Sequence, residues 1–254
     1  GHNLSDVLGL LLAWGAIRLT RRQPSHRYTY GWRRSSILIA LLNAIILLLA
    51  MGGIAWEAIQ RFSDPGQVAG RLVVGIAAVG ILINTITALL FLSGCQRDLN
   101  IRGAFLHMAA DALVSLGVVL AGIAIVVTGR GWFDPAISLI IVAVVVIGTW
   151  HLLQDALKLA LDAVPTGIEP LAVRTYLAEL AGVTQVHDLH IWAISTTETA
   201  LTAHLVMPAG FPGDAFLCGV CKALHDQFDI EHATLQVETG DPDHPCTLAP
   251  DHLV

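Results

Sequence analysis

Charge is scarce in this sequence. Asp, Glu, Lys and Arg make up only 13% of the 254 residues, against 55% hydrophobic residues. A soluble domain carries roughly 25% charged residues, so a soluble fold of this length could not cover its surface. The mean hydropathy of +0.68 agrees. The same composition excludes intrinsic disorder. A cationic surplus is also missing: 14 Lys and Arg stand against 20 Asp and Glu, a formal net charge of −6. Nothing is left over to neutralise phosphates, which excludes nucleic acid as a partner. Cysteine is rare, with four in the chain, and implies no disulfide framework in a protein facing the cytoplasm or the bilayer. What remains is an integral membrane protein, solvated by a lipid bilayer, with a soluble part.

The apolar excess is uneven. Residues 1–158 read as a transmembrane domain, 159–240 as a soluble domain and 241–254 as an irregular tail. A membrane helix needs about 20 mostly apolar residues. Five stretches meet or approach that length, at about 2–19, 35–59, 72–92, 103–127 and 134–153. The first opens without a charged leader, so the expectation is a chain lacking an upstream segment. The first connection carries Arg18, Arg21, Arg22, Arg27, Arg33 and Arg34, and the third carries Arg97 and Arg102. The positive-inside rule places both in the cytoplasm, and with them the carboxyl-terminal half.

The soluble half predicts the order αββαβ. Residues 169–181 have helical spacing, with Gly182 as a stop. VTQVHDLHIWAIS and TALTAHLVMP are β-branched and partly alternating, joined by the polar turn STTET. Residues 213–228 read as an amphipathic helix, and HATLQVE as a last strand. This order predicts a small open-faced α+β sandwich.

Ionisable residues inside membrane helices are costly and mark function. Two pairs stand out: His2 with Asp6 in HNLSD, and His107 with Asp111 in HMAAD. Residues i and i+4 share one helix face. Each pair therefore offers an imidazole and a carboxylate to one spot, and two such helices supply two nitrogen and two oxygen donors. That set suits tetrahedral Zn²⁺, with Co²⁺ and Cd²⁺ as alternatives. A single pair would also fit a structural hydrogen bond. A third HxxxD, His225 to Asp229, falls on the soluble helix and reads as a solvated face. Cys218 and Cys221 form a lone CxxC on the same helix and read as packing residues.

With these pieces in place, the sequence resembles the cation diffusion facilitator family of metal/proton antiporters, in its zinc-transporting branch. The resemblance rests on HNLSD, YGWRRSSIL, HMAAD, Asp134–Pro135, VHDLHIW and HATLQVE, and covers essentially the whole chain. It implies a six-helix membrane domain, of which five helices are present here, a metallochaperone-like cytoplasmic domain and a homodimer. The first helix here corresponds to the family's second. The resemblance assigns His2, Asp6, His107 and Asp111 to the transport site, with no organic cofactor. It also implies a regulatory metal site in the soluble domain at His187, His204, His232 and Glu238, with Cys246 as a further candidate.

The function these observations predict is export of cytosolic Zn²⁺, with Cd²⁺ and Co²⁺ as further substrates, in exchange for protons. Two rivals are a membrane-anchored metal sensor and an intramembrane metalloenzyme. The enzyme reading needs an open coordination position and a general base, whereas two His and two Asp fill the four positions of zinc, and no HExxH occurs.

Overall fold

The computed structural model describes residues 23–63, 71–96 and 98–249, with Gly15 and Arg18 besides. His2 and Asp6, and most of the first apolar stretch, lie outside the described residues. The chain forms two compact units, Gly1–Leu157 and Lys158–Val254.

Among the described residues, the first part of the chain forms four long helices: α1 (Ser35–Ser63), α2 (Arg71–Phe91), α3 (Leu99–Thr128) and α4 (Phe133–Ala160). Each is long and apolar enough to cross a membrane. Their burial is one-sided. In α1 the buried apolar residues Ile37, Ala40, Ala44, Leu47 and Met51 form a stripe at three- and four-residue steps. Leu38, Leu42, Ile45 and Leu49 on the other side stay exposed, as expected of side chains that face lipid. Leu47 and Met51 of α1 pack with Ala110 of α3 and Val142 and Val145 of α4 in one apolar cluster.

Small residues let these helices approach closely. A Cβ built on Gly117 of α3 would collide with Ile141 Cδ1 of α4, and one on Gly103 would lie 2.6 Å from Asn43 Nδ2 of α1. At one end of the α3–α4 hairpin, Arg102 Nη1 donates to Asp155 Oδ2 at 2.7 Å.

The helices outrun the apolar stretches. α3 begins at Leu99, four residues before the predicted 103, because Asp98 caps it by accepting from Asn100 N at 2.8 Å. α4 continues seven residues past 153 through QDALKLA. Hydropathy marks where lipid ends, whereas backbone hydrogen bonding decides where the helix ends.

The second unit has the order α5 (Pro170–Ala178), β1 (Gln185–Ala193), β2 (Thr199–Val206), α6 (Asp214–Phe228) and β3 (His232–Glu238). This is the αββαβ order that the sequence predicts. Pro170 at the first position and the Glu169 carboxylate on Leu171 N start α5. The sheet order is β1-β2-β3, with β1 and β2 antiparallel and β2 and β3 parallel. Val173 and Leu177 of α5 and Val220 and Leu224 of α6 pack with Leu201, Ala203 and Leu205 of β2. Both helices therefore cover one face of the sheet. Strand side chains alternate between faces, so His204 and Val206 belong to the face without helices.

Candidate metal centres

His107 and Asp111 lie on one face of α3, with His107 Nε2 3.7 Å from Asp111 Oδ2. Their side chains are 11% and 15% exposed. They belong to the stripe of α3 that buries Gly103, Ala110 and Gly117. The helical spacing thus brings imidazole and carboxylate together inside the bundle. The other pair, His2 and Asp6, lies outside the described residues.

The third HxxxD behaves differently. His225 is exposed, and Asp229 ends α6 with φ of 58°, its N–H donating to His225 O. The helix stops before the two side chains can share a face. Cys218 and Cys221 are on α6 as exposed and half-buried free thiols. His151 of α4 is exposed, and its Nδ1 lies 2.9 Å from Ile147 O. Asp155 is taken by Arg102.

A second centre lies on the helix-free face of the sheet. His187 of β1 is directly opposite His204 of β2 in the antiparallel ladder, and their rings meet edge to face with centroids 5.1 Å apart. In the parallel ladder, Glu238 of β3 pairs with Val206, two residues beyond His204 on the same face. After β3 the chain turns back. Gly240 has φ of +71°, and a Cβ there would lie 2.9 Å from Val206 Cγ1. Asp241 then holds a turn by accepting from Asp243 N at 2.9 Å and contacting His244 Nδ1 at 3.1 Å. The turn delivers Cys246, whose Sγ lies 3.6 Å from His204 Nδ1.

One ligand atom each from His187, His204, Glu238 and Cys246 lies within 4.8 Å of the others. His204 Nδ1 is 2.9 Å from Glu238 Oε1, and His187 Nε2 is 3.4 Å from Glu238 Oε2. Ligand atoms around a tetrahedral zinc with ordinary bond lengths sit about 3.3–3.8 Å apart. Both ring nitrogens of His187 are buried without a hydrogen-bond partner. A buried polar atom left in this state is costly, and a metal would satisfy one of the two. Two imidazoles, a carboxylate and a thiol thus fit Zn²⁺ or Cd²⁺.

Burial pushes the Glu238 carboxyl up. The Gln236 amide, the Cys246 thiol and the two imidazoles more than offset this, and the group titrates below the ordinary glutamate range. It is thus ready as an anionic ligand at neutral pH.

His232 is not part of this cluster. It is exposed at the start of β3, opposite Ala200, six residue steps along the strand from Glu238. Six residues span about 20 Å. Within one chain, Cys246 takes the fourth place that the sequence reading gave to His232. The histidine enrichment of the soluble half could not separate the two, because the tail's return path is a tertiary feature.

Gly240→Ala is expected to loosen the cysteine. The left-handed backbone costs a non-glycine residue about 1–2 kcal/mol, and the methyl group meets Val206. Apparent zinc affinity should fall about 5–30-fold if that cost is charged to the metal-bound form. Zinc titration of the purified chain checks this.

A bundle of membrane helices carrying a buried His–Asp pair, joined to a sheet carrying a cluster that could hold a metal ion, suits the class of membrane metal transporters. Comparison with known families agrees. The description "Cation efflux transmembrane domain" matches residues 1–159, and "Cation efflux protein, cytoplasmic domain" matches residues 165–240. The chain belongs to the cation efflux family, the cation diffusion facilitators, and is an integral membrane protein. The Escherichia coli protein named zinc transporter ZitB is 35% identical over 100% of this chain and 80% of its own length. A Bacillus velezensis protein named cadmium, cobalt and zinc/H(+)-K(+) antiporter is 35% identical over 98% of this chain and 80% of its own length. The Cupriavidus metallidurans protein named metal cation efflux system protein CzcD is 34% identical over 98% of this chain and 78% of its own length.

Proposed function

We propose that this protein exports Zn²⁺, and also Cd²⁺ and Co²⁺, from the cytosol in exchange for protons. The transport site is His2, Asp6, His107 and Asp111. The observation that carries this reading is the His107–Asp111 pair buried inside the bundle, together with the identical spacing of His2 and Asp6. The names of the relatives support the choice of metals.

Charge balance supports the proton exchange. Two ionised aspartates around one Zn²⁺ make a neutral centre. Without the metal they would leave two negative charges at membrane depth, where each charged side chain costs about 2.5–3.5 kcal/mol or more. Protons on the carboxylates or imidazoles remove that cost. Metal binding needs deprotonated ligands and therefore displaces them, and histidine titrates in the physiological range. Rocking helices expose the site to one side at a time, so metal leaves outward as protons enter.

The protein acts as a homodimer in the bacterial inner membrane, with residues 159–254 in the cytoplasm. There the cluster of His187, His204, Glu238 and Cys246 binds a regulatory metal ion that favours one transport state.

Uptake of ⁶⁵Zn²⁺ into proteoliposomes tests the coupling. An inward zinc flux should rise several-fold when the lumen is made more acidic than the medium. Equal rates with and without the gradient would overturn proton exchange.

A further inference from the structure

Regular strand residues alternate between faces, yet two consecutive residues of β1 reach the same imidazole. His187 meets the His204 ring edge to face, and Asp188 Oδ2 lies 3.4 Å from His204 Nε2. The pairing of β1 with β2 explains how. His187 is opposite His204, but the next pair is His190 with Thr202. Three steps on β1 thus match two on β2, which is a β-bulge. Asp188 occupies the bulge with φ of +50°, a left-handed conformation that Asp tolerates better than most residues. The bulge turns its carboxylate back towards the face that carries the ligand cluster.

That carboxylate is anchored on both sides. Oδ1 lies 2.9 Å from His190 Nε2, and Oδ2 faces His204. Asp188 and His204 are each 12% exposed, whereas His190 is 36% exposed. His204 is therefore held at both nitrogens. Nε2 meets Asp188, while Nδ1 faces Glu238 Oε1 and Cys246 Sγ.

We propose that Asp188 is a positioning residue for the cytoplasmic metal site: it keeps a proton on His204 Nε2 and fixes the ring so that Nδ1 presents its lone pair to the metal. This rests on the reading of His187, His204, Glu238 and Cys246 as a metal site. The arrangement is the carboxylate–histidine–metal relay, in which a hydrogen bond to the outer nitrogen sets tautomer, orientation and basicity. A metal can replace a proton on Nδ1, but the proton on Nε2 stays with Asp188. The backbone distortion at Asp188 then serves the site, since a regular β1 would send this side chain to the helix-covered face.

Cobalt titration of the purified 254-residue chain in detergent tests the proposal, read from the thiolate-to-Co²⁺ charge-transfer band. Cys246→Ser should lack the band, which assigns it to this site. Asp188→Gly accepts the left-handed backbone without strain and removes only the carboxylate. Its titration midpoint should rise about 10–100-fold, the usual loss on removing an outer-shell partner, with the same band at saturation. Asp188→Asn, whose amide oxygen still accepts from Nε2–H, should recover part of that loss. His190→Ala should leave the midpoint within about twofold of the unsubstituted chain, because it touches the carboxylate from the solvent side. An unshifted midpoint in both Asp188 variants would overturn the positioning role, and altered Co²⁺ d–d bands at saturation, the mark of a changed ligand set, would make Asp188 itself a ligand and overturn it equally. Failure of the unsubstituted chain to give any band would instead overturn the metal site on which the proposal rests.

Discussion

Asp111→Ala is expected to reduce zinc flux to the level of protein-free vesicles. Asp111 and His107 are inside the helix bundle, 3.7 Å apart across one turn of α3. Removing the carboxylate takes away one of the four proposed donors and half of the negative charge that would balance Zn²⁺. Loss of an outer-shell partner already costs up to about 100-fold in metal affinity, and loss of a direct ligand should cost more. Asp6→Ala should act alike. His225→Ala removes the first residue of the third HxxxD, exposed on α6, and should leave flux unchanged. The measurement is ⁶⁵Zn²⁺ uptake at matched protein density in the bilayer. A sensor that does not transport would show no flux to lose, so transport in the unsubstituted chain and its absence in Asp111→Ala together decide between the two roles. Flux that survives in Asp111→Ala would overturn the transport site.

The second large effect is expected at His187. The residue is 1% exposed, and neither ring nitrogen has a hydrogen-bond partner. A buried polar group in that state costs about 1–3 kcal/mol. His187→Leu removes the orphaned nitrogens at similar volume, so the metal-free soluble unit should become more stable by about that amount. The price is the response to metal. A ligand that binds only the folded state adds about 2.7 kcal/mol at 100 times its Kd and about 4.1 kcal/mol at 1,000 times. Zinc should provide this stabilisation to the unsubstituted protein and almost none to His187→Leu. Hydrogen exchange at the β1 and β2 amides, with zinc and with a chelator, reads both quantities locally. Equal zinc-induced protection in the two proteins would remove His187 from the site.

These two sites differ in how far the sequence reveals them. His107 and Asp111 are four residues apart on one helix, and helical geometry alone puts them on one face. No knowledge of the packing was needed to see the pair, only to see that its face turns inward. The four described helices of the first unit were visible for a similar reason, since about 20 apolar residues are needed to cross lipid. Their ends were less visible. The Asp98 cap and the more polar run from Gln154 to Ala160 extend helices past the point where hydropathy falls.

The cluster on the sheet was legible only in part. His187, His204 and Glu238 are spread over 52 residues, and the resemblance rather than any spacing grouped them. His232 belonged to that group on the page, but the β2–β3 register sets it opposite Ala200, far along the strand from Glu238. Cys246 comes close through the Gly240 turn and the Asp241 staple, neither of which has a periodic signature. The bulge at Asp188 could not be read from VHDLHIW either, because a bulge is a mismatch between two strands and exists only once they pair.

The sequence by itself determined the class of the protein, its division into a membrane part and an αββαβ part, and the His–Asp pair on α3. Those follow from composition and from spacings within single elements, where the backbone period is known in advance. Only the tertiary structure decided which residues cluster on the helix-free face of the sheet and how Asp188 meets His204. Those contacts join residues far apart in the chain, and their distances are set by strand register and by the path of the tail, which local sequence does not encode.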